Sequence, residues 1–362
     1  MATTTAPSYS NTENTSPFYS MQLRRFGVIS LVTMFTLIAT VVYLLPFGNM
    51  ALTAIKTQEQ IVTSATGSVL PMEAAKFSYE GKDYDVLEVP TENGIQQWAL
   101  VTKGRQASQF IDPANPDAGL IDWAGNWRGL QPVTSLKPHF ENFGIAWDLI
   151  NFPLLFGNTL AIAIIGMVGT IISSVSVAYA FARFPIPGKN ILFIILIGTI
   201  ILPSQVTLIP TYAFFASIGW TGSWLPLIVP HFFANAYNVF LLRQFFLTLP
   251  RELDEAAMID GAGPLRVLWS VIIPQSWPAI ITVGLFHFIF AWNDYFGPLL
   301  YTLGKPEIQP ISVGVQVFNF QYGARPELVQ ATSLMAMVLP LLIFFVAQRI
   351  FMRGVVITGV EK

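Results

Sequence analysis

The amino-acid sequence predicts an all-α polytopic membrane protein with six transmembrane helices and a small β-containing insert between the first two. Hydrophobic residues make up 53% of the chain and charged residues only 11%, with a mean hydropathy of +0.56. That composition lies far from the composition of soluble domains. Several uncharged stretches are long enough to cross about 30 Å of hydrocarbon, which takes roughly 20 helical residues. Lys and Arg are concentrated in alternate connections between these stretches.

The uncharged stretches define the predicted spans. They are residues 26–46, 152–182, 190–242, 267–293 and 328–348. The third stretch has 53 residues without a charge, which is too long for one helical crossing. Gly and Trp residues at 219–224 interrupt it. We therefore expect two spans in this stretch and six in the chain.

The distribution of Lys and Arg predicts the orientation of the spans. If the N-terminus is cytoplasmic, the inner connections and termini carry ten basic residues: Arg24, Arg25, Arg183, Lys189, Arg243, Arg251, Arg266, Arg349, Arg353 and Lys362. The short outer loops carry only Lys305 and Arg325. Because cytoplasmic connections are enriched in Lys and Arg, both termini are expected in the cytoplasm and residues 51–150 outside it.

The N-terminal region is expected to contain a tail followed by a membrane anchor. Residues 1–20 are rich in Ser, Thr and Asn, which predicts a disordered cytoplasmic tail. Residues 21–50 form the first predicted transmembrane helix. Arg24 and Arg25 before an apolar run also fit a cleaved signal peptide. The apolar core is longer than the roughly 7 to 15 residues of such peptides, so we expect a retained anchor.

Residues 51–150 are predicted to form an extracytoplasmic insert with β hairpins. β-Forming residues occur at 77–89 and 97–101, with Asn93 and Gly94 between the two runs. Twelve acidic and seven basic residues lie between Lys56 and Asp148. The charge pattern leaves two interpretations open: a solvated lid over the helix ends, or a contact surface for an extracytoplasmic partner.

The sequence argues against several functional classes. The chain has no cysteine, which excludes disulfides, thiolate metal sites and thiol nucleophiles, and its net charge of −2 predicts no nucleic-acid partner. The closest imitation of a P-loop, at 261–264, lacks the required Lys and Ser/Thr. The chain also lacks the common hydrolase motifs. We expect no catalytic, cofactor or metal site, and therefore a pore-forming subunit driven by a separate motor protein.

Two alternatives to that subunit remain open. An ion-coupled secondary transporter acting alone needs an ionisable group within the spans, and Asp294 is the single carboxylate there. A structural membrane anchor for an outer complex would need no such group.

A charged island at residues 250–263 predicts a short helix at about 251–260. Pro250 suits the first turn, acidic residues follow at the positive end of the helix dipole, and Gly261 and Gly263 provide a stop. One predicted face, with spacing i, i+3, i+4 and i+7, presents small and apolar residues: Leu253, Ala256, Ala257 and Asp260. This face is suited to a protein groove. A helix lying on the bilayer is the alternative, although the face is small and acidic for lipid binding.

The island and several other segments resemble one family of membrane proteins. Pro-Arg-Glu-Leu-Asp-Glu-Ala-Ala-Met-Ile-Asp-Gly-Ala at 250–262, followed by Val-Ile-Ile-Pro at 271–274, resembles the Glu-Ala-Ala loop of binding-protein-dependent ABC importer permeases. The sequence specifically resembles the carbohydrate branch of this family and, within it, the second permease subunit of maltose-type importers. Asn158-Thr159-Leu160, residues 178–189, Trp292-Asn293-Asp294 and residues 339–354 also fit the family. Ile273 stands where the family often has Leu, which is a change of little consequence.

The resemblance covers residues 20–50 and 140–362 and implies a fold and partners. It implies the type I ABC importer permease fold, with a five-helix permease core at 151–362 and a cytoplasmic coupling loop at 247–270. It further implies a heterotetramer in the cytoplasmic (inner) membrane, with a second permease subunit and two ATPase subunits that hydrolyse ATP with Mg. An extracytoplasmic solute-binding protein would deliver the carbohydrate. The insert at 51–150 is longer than is usual for the family.

The resemblance also assigns roles to residues of the coupling loop. Glu255 would pair with a basic residue of the ATPase, while Ala256, Ala257 and Gly261 would allow close approach. Closure of the ATPase dimer would then rock the spans between inward-open and outward-open states.

Polar residues within the spans predict a solute path. His231, Asn235 and Asn238 recur at i, i+4 and i+7, and His287 and Asp294 are expected on one face of the fifth span, with three neighbours beside them: Trp292, Asn293 and Tyr295. Amide, carboxylate and aromatic groups suit a sugar or polyol. Interhelical hydrogen bonding is the alternative role for each residue. A strip of Gly166, Gly169 and Ser173 on the second span predicts close helix packing.

Overall fold

The computed structural model describes residues 17–64, 69–321 and 323–356. The chain divides between Leu52 and Thr53 into two compact units, which are described separately. Most of the expected disordered tail, residues 1–16, lies outside the described residues. The first helix begins at Pro17, so residues 17–20 are helical and do not belong to a disordered tail.

The first helix, α1, runs from Pro17 to Ala54 and extends beyond both expected limits of the first span. Its part Arg24–Ala54 has 31 residues and includes an 18-residue window with a mean hydropathy of 2.4, and none of that window is buried by protein. A helix of this length is about 46 Å long, which exceeds the thickness of the hydrocarbon layer. An apolar helix that is exposed on all sides requires an apolar environment, as a membrane span does.

The insert is built mainly from antiparallel strands. A short helix α2, Gln58–Ser64, precedes them. The strands are β1 Met72–Ala74, β2 Lys76–Tyr79, β3 Lys82–Thr91, β4 Gly94–Thr102, β5 Ala107–Ile111, β6 Ile121–Ala124, β7 Gln131–Pro132 and β8 Thr134–Leu136. Strands β2 to β6 form one sheet in sequence order, β7 pairs with β3, and β1 pairs with β8 in a second sheet. The larger sheet has an aromatic core around the fully buried Phe110, whose ring meets the Trp123 ring edge to face.

The turns of the insert divide its β-forming segments into antiparallel strands. The β-forming residues at 77–89 include Gly81. They form two strands, because Glu80 and Gly81 both have positive φ angles of 50° and 78° and reverse the chain between β2 and β3. The hairpin between β3 and β4 turns where predicted, with Gly94 at a φ of 100°.

The two ends of the insert meet at its base. The backbone N–H of His139 donates to the carbonyl of Ile55 at 2.8 Å, and Asn142 Nδ2 donates to the carbonyls of Ala54 and Lys56, each at 2.8 Å. Lys137 Nζ lies 2.7 Å from Glu73 Oε2 across the β1–β8 ladder. The chain therefore enters and leaves the insert at one place.

The rest of the chain is helical. The helices are α3 Glu141–Leu149, α4 Phe152–Arg183, α5 Lys189–Gly198, α6 Ser204–Ser217, α7 Leu225–Ile228, α8 Ala236–Thr248, α9 Glu252–Ile259, α10 Pro264–Val267, α11 Ile273–Gln275, α12 Trp277–Asn293, α13 Phe296–Tyr301, α14 Ile311–Gly314, α15 Val317–Phe320 and α16 Pro326–Val356. A 3₁₀ turn, Val229–Phe232, separates α7 from α8, and a π-helical turn, Leu268–Ile272, lies between α10 and α11.

The described helices include four that are long and apolar enough to cross a membrane, or up to six when bent pairs are counted. The four are Arg24–Ala54, Phe152–Arg183, Leu225–Thr248 and Pro326–Gln348. The long stretch 190–242 is interrupted near 219–224, as expected, because α6 ends at Ser217 and α7 begins at Leu225.

The two bent pairs each contain a sharp break within one apolar stretch. Lys189–Ile201 meets Val206–Ser217 at 100°, and Pro264–Gln275 meets Trp277–Asn293 at 83°. The predicted fifth span, 267–293, is therefore not one straight helix: it turns sharply at Ser276, and Pro274 and Pro278 flank that turn.

Helix α4 is the central element of the helical region and packs against both α8 and α12. One hydrophobic cluster surrounds the Arg183 end of α4 and includes Tyr179, Phe246 and Ile272. A second cluster surrounds the opposite end of α4 and includes Leu155 and Phe318.

At the opposite end of α4, polar side chains hold the segment that precedes α14. Asn158 Nδ2 donates to the carbonyls of Glu307 and Gln309 at 3.0 and 2.9 Å, and Thr159 Oγ1 accepts from the N–H of Ile311 at 2.9 Å. The Asn-Thr-Leu motif at 158–160 thus fixes a loop more than 140 residues away in sequence.

Candidate functional site

The coupling loop folds as its local sequence predicts. Helix α9 occupies Glu252–Ile259 and has three acidic residues in its first turn. Gly261 has a φ of 81°, its N–H donates to the Met258 carbonyl at 3.0 Å, and the N–H of Ala262 donates to the Ala257 carbonyl at 2.9 Å. This pair of bonds is a Schellman motif, for which glycine is the preferred residue at the left-handed position. Gly261 therefore ends the helix.

The structure divides the helix face that the sequence suggested for docking. Leu253, Ala256 and Asp260 are exposed, whereas Ala257 is half-buried and packs against the hydrophobic cluster at the Arg183 end of α4. Ala257 therefore contacts its own chain, because α9 turns residues 254 and 257 toward the bundle. The exposed face instead consists of residues spaced at i, i+3, i+4 and i+7: Glu252, Glu255, Ala256 and Ile259.

Large apolar side chains surround the exposed face of α9. Ile259 is 87% exposed, Leu265 74% and Trp269 70%, and Met258 is also exposed. Isolated exposed apolar residues are common, but four along one short loop, beside an exposed carboxylate at Glu255, form a surface with the character of a protein contact. The sequence did not predict these contacts, because the spacing of Leu253, Ala256, Ala257 and Asp260 indicated a different face of the helix.

Asp254 makes the closest charged contact of the coupling loop. Its Oδ2 atom lies 2.6 Å from Nε of Arg183, and both side chains are more than nine-tenths buried. Arg183 Nη2 also donates to the carbonyl of Leu249 at 3.1 Å, just before α9. Tyr179, one turn earlier on α4, donates its hydroxyl to the carbonyl of Pro264, just after α9, at 3.2 Å. We call Tyr179, Arg183 and Asp254 the clasp.

Sequence reasoning did not single out the clasp. The sequence predicts only a favourable interaction of Asp254 with the helix dipole and an inner position for Arg183. One feature of the sequence is compatible with this contact: Asp254 and Ala257 are three residues apart, so they share one face of α9 that can pack against the same chain. Choosing between that face and its neighbours requires knowing where Arg183 lies in space.

A cavity of about 340 Å³ lies beside α4 at the break in the fourth predicted span. Its polar lining residues are Thr170, His231, Asn235, Asn238 and His287, and its aromatic lining residues are Tyr237, Phe286 and Phe290. The structure therefore brings together four of the eight residues predicted for the solute path. No Lys, Arg, Asp or Glu is among these lining residues, so the cavity presents hydroxyl, amide and imidazole groups between aromatic rings.

The two histidines of the cavity are positioned by small residues of α4. The His231 and His287 rings have centroids 4.3 Å apart and lie at 71° to each other. Thr170 Oγ1 lies 3.0 Å from His287 Nδ1, and Ser173 Oγ donates to the His231 carbonyl at 3.1 Å. A Cβ atom at Gly166 would lie 2.6 Å from His287 Nε2. The small-residue strip on α4 therefore accommodates the histidine pair.

The chain adjoining His231 also contributes to the cavity through a helix cap. Asn235 Oδ1 accepts from the N–H groups of Tyr237 and Asn238, at 3.0 and 3.3 Å, and begins α8. His231 itself lies in the 3₁₀ turn, so His231, Asn235 and Asn238 meet at the cavity although no continuous helix carries them.

The other four residues predicted for the solute path do not line this cavity. Trp292 is buried against Ala163 and Phe288, and Asn293 Nδ2 donates to the Ile289 carbonyl of its own helix at 2.8 Å. Tyr295 contacts the ring of Phe296, with centroids 5.3 Å apart. These positions correct the expectation of a single polar face on the fifth span.

Asp294 lies beyond the end of α12, which explains why it does not share a helix face with His287. Its Oδ1 atom accepts from the N–H of Gly297 at 3.3 Å, and its carbonyl accepts from Ser312 Oγ at 2.6 Å. Asp294 therefore shapes the turn into α13. It was the one carboxylate suggested as an ion-coupling group, and the structure places it outside the polar cavity.

Within residues 17–64, 69–321 and 323–356, no three His, Asp or Glu side chains are grouped as metal ligands.

Comparisons with known proteins agree with the architecture. Residues 171–356 match the family described as binding-protein-dependent transport system inner membrane component. The osmoprotective compounds uptake permease protein GgtD of Synechocystis sp. is 31% identical over 73% of this chain and 88% of that protein. The sn-glycerol-3-phosphate transport system permease protein UgpE of Yersinia pestis is 33% identical over 60% of this chain and 78% of that protein.

A solved structure shares the fold. A chain of a bacterial ABC transporter involved in the import of the acidic polysaccharide alginate superposes with a TM-score of 0.62. The match has 20% identity and covers 95% of this chain and 99% of that one. The fold is thus the type I ABC importer permease fold. The chain belongs to the family of binding-protein-dependent transport system inner membrane components, and it is a permease subunit of an ABC importer.

Proposed function

We propose that this permease imports a carbohydrate, which can be a sugar, an oligosaccharide or a polyol, as one half of a pore. A second permease subunit completes the pore, two cytoplasmic ATPase subunits supply the energy, and an extracytoplasmic binding protein delivers the solute. The relatives named for osmoprotective compounds and for sn-glycerol-3-phosphate support a small polyhydroxyl solute. The polar cavity supports the same class, because hydroxyl, amide and aromatic groups suit hydroxyl-rich ligands.

The proposed orientation places the coupling loop in the cytoplasm and the insert outside. It rests on the concentration of Lys and Arg near the inner ends of the spans. In this orientation the N- and C-termini are cytoplasmic, the chain crosses the membrane six times, and the Arg183 end of α4 faces the ATPase subunits. The insert then lies on the side from which a binding protein would approach.

The observation that carries the proposal is the exposed face of α9. Glu255 and Ala256 point away from the bundle beside the exposed Ile259, while Asp254 and Ala257 hold the helix to its own chain. A helix fixed on one side and exposed on the other suits docking into a groove of an ATPase subunit. A carrier acting alone has no use for such a surface, and its candidate coupling group, Asp294, shapes a turn.

Substitution of Glu255 tests the docking step. The full chain is expressed with its second permease and ATPase subunits, and Glu255→Lys is compared with Glu92→Lys, a matched charge reversal at an exposed site in the insert. Glu255→Lys is expected to remove the ATPase from the purified complex and to abolish ATP-dependent uptake of labelled sugars and polyols into proteoliposomes that also contain the binding protein. Glu92→Lys should keep both. Normal ATPase association in the Glu255→Lys variant contradicts the docking role.

A further inference from the structure

The clasp connects both ends of the coupling loop, and α9 itself, to one face of one helix. Tyr179 and Arg183 are four residues apart on α4 and so lie on the same side of it. Arg183 contacts Leu249 before α9 and Asp254 within α9, and Tyr179 contacts Pro264 after it. These contacts are directional hydrogen bonds and an ion pair. The coupling loop also contributes apolar contacts to the hydrophobic cluster, which are directionless and restrict sliding less strongly; they come from Leu249, Ala257, Ala262, Val267 and Leu268.

The ion pair is not explained well by a purely stabilising role. A buried ion pair is weak evidence for stability, because removing two charges from water offsets most of their attraction. Asp254 Oδ1 is buried as well, and it makes no hydrogen bond to any residue in the part of the chain that the structure describes. A carboxylate with one paired and one unpaired oxygen is a costly arrangement for holding a static loop.

The same helix that carries the clasp also forms a wall of the polar cavity. Thr170 contacts His287, and Ser173 contacts the backbone of His231. Thr170 and Arg183 are about 20 Å apart along α4 at 1.5 Å per residue. Helix α4 is unbroken from Phe152 to Arg183, and its one proline lies in the first turn. A movement applied at Arg183 therefore reaches Thr170 without a hinge between them.

We propose that Arg183 and Asp254 are positioning residues that make the coupling helix α9 and the cavity helix α4 move together. Movement of a docked ATPase would then pass through the ion pair to α4 and change the surroundings of the histidine pair. This inference rests on the proposed function, and it assigns the transmission step to one pair of side chains that are not part of the exposed docking face.

The test separates movement of the cavity from docking of the ATPase. Because the chain has no cysteine, Phe233→Cys provides a single thiol in the largely exposed segment between His231 and Asn235. The complete complex is labelled with a water-soluble maleimide, with and without ATP, Mg and vanadate. Co-purification of the ATPase and the rate of ATP hydrolysis are measured on the same samples.

The variants are chosen to alter the ion pair with little change in shape. Asp254→Asn removes the charge, Arg183→Lys keeps the charge with different geometry, and Asp254→Glu tests rescue by a conservative change. The matched control is Glu327→Gln, since Glu327 is a carboxylate with 1% exposure that pairs with Arg325 near the opposite end of α4.

The expected result is a loss of transmission with retained docking. Asp254→Asn should keep the bound ATPase and its hydrolysis, while the ATP-dependent change in labelling rate falls about tenfold, a size typical of coupling between sites. Asp254→Glu should recover part of that change, and Glu327→Gln should keep it.

Three results would overturn the proposal. One is an unchanged response of the label in Asp254→Asn, and another is a loss of response that is accompanied by loss of the ATPase. The third is failure of both Asp254→Asn and Arg183→Lys to assemble, which would make the pair a folding element. A wild-type complex in which ATP changes nothing would instead contradict the proposed function, and it would be recognised before any variant is compared.

Discussion

The packing of the histidine pair against Gly166 leads to a prediction whose size follows from the structure. A Cβ atom at Gly166 would lie 2.6 Å from His287 Nε2 and 3.3 Å from His231 Cδ2. His287 would have to move by about 0.8 Å to restore an ordinary contact of 3.4 Å. Its Nδ1 is paired with Thr170 Oγ1, and its side chain is buried, so this movement is resisted. Gly166→Ala therefore overpacks the site.

The expected cost is the difference between two opposing effects. Replacing glycine by alanine within a helix stabilises it by about 0.5 to 1 kcal/mol. Overpacking of a close-packed site costs about 1 to 3 kcal/mol. Gly157→Ala is the matched control, because Gly157 lies on the same helix and a Cβ there would have no neighbour within 4 Å. The two variants should differ by about 1 to 3 kcal/mol in the free energy of unfolding, with Gly166→Ala the less stable.

Unfolding of the purified permease by detergent titration, followed by tryptophan fluorescence, measures this difference. In a Thr170→Val background His287 loses its partner and can move, so the gap between the two alanine variants should shrink. Equal unfolding free energies for Gly166→Ala and Gly157→Ala, within about 0.5 kcal/mol, would refute the close packing of Gly166 on the histidines.

Three other predictions concern the coupling loop, the segment before α14 and the insert. Gly261→Ala should destabilise the end of α9 by about 1 to 2 kcal/mol, because an L-residue disfavours a φ of 81°. Gly263→Ala is the control and should change stability little, because Gly263 has a φ of −74°. Thermal unfolding of both variants measures the difference. Asn158→Asp should destabilise the segment before α14 more than Asn158→Ala does. The aspartate places a carboxylate oxygen against the carbonyls of Glu307 and Gln309, where the amide of Asn158 donates hydrogen bonds. The rate of proteolysis within that segment measures the effect. The hydrogen bond from Lys137 holds the pKa of Glu73 below its usual value. The resulting stabilisation of the β1–β8 ladder is therefore complete above the unfolded pKa of Glu, about 4.3, and it is lost as pH falls through the lower pKa of the folded state. The protection of the Ser135 amide, measured as its exchange rate relative to the intrinsic rate at the same pH, should therefore fall in acid. Glu73→Gln should show a flatter acid response, and equal acid responses would contradict the assignment.

Local signals in the sequence were sufficient to predict α9. Pro250 and Gly261 act through the geometry of their own backbone, so the start and end of the helix could be placed without knowledge of distant residues. The inward direction of Asp254 could not be placed in this way. It depends on Arg183, which is 71 positions earlier in sequence and meets Asp254 only after α4 and α8 have packed.

The predicted solute path also depended on long-range structure that residue spacing alone does not provide. The spacing of His287 and Asp294 predicted one shared face because a continuous helix was assumed. Helix α12 ends at Asn293, so the seven-residue spacing no longer describes a face. Four residues of the predicted solute path line the cavity around His231, although the chain there is a 3₁₀ turn followed by a capped helix. Hydropathy identifies apolar stretches, but it does not locate breaks within them, such as the 83° turn at Ser276.

The closed base of the insert has an evolutionary and practical consequence. Ile55 and His139 are joined by a backbone hydrogen bond of 2.8 Å, so the chain segments on either side of the insert are already neighbours. A linker of about three residues, each spanning at most about 3.5 Å, is long enough to connect them. The insert can therefore be gained, lost or exchanged without changing the path of the permease helices. Chimaeras that carry a foreign domain between Lys56 and Lys137 offer a way to replace the surface of the insert while the permease helices stay the same.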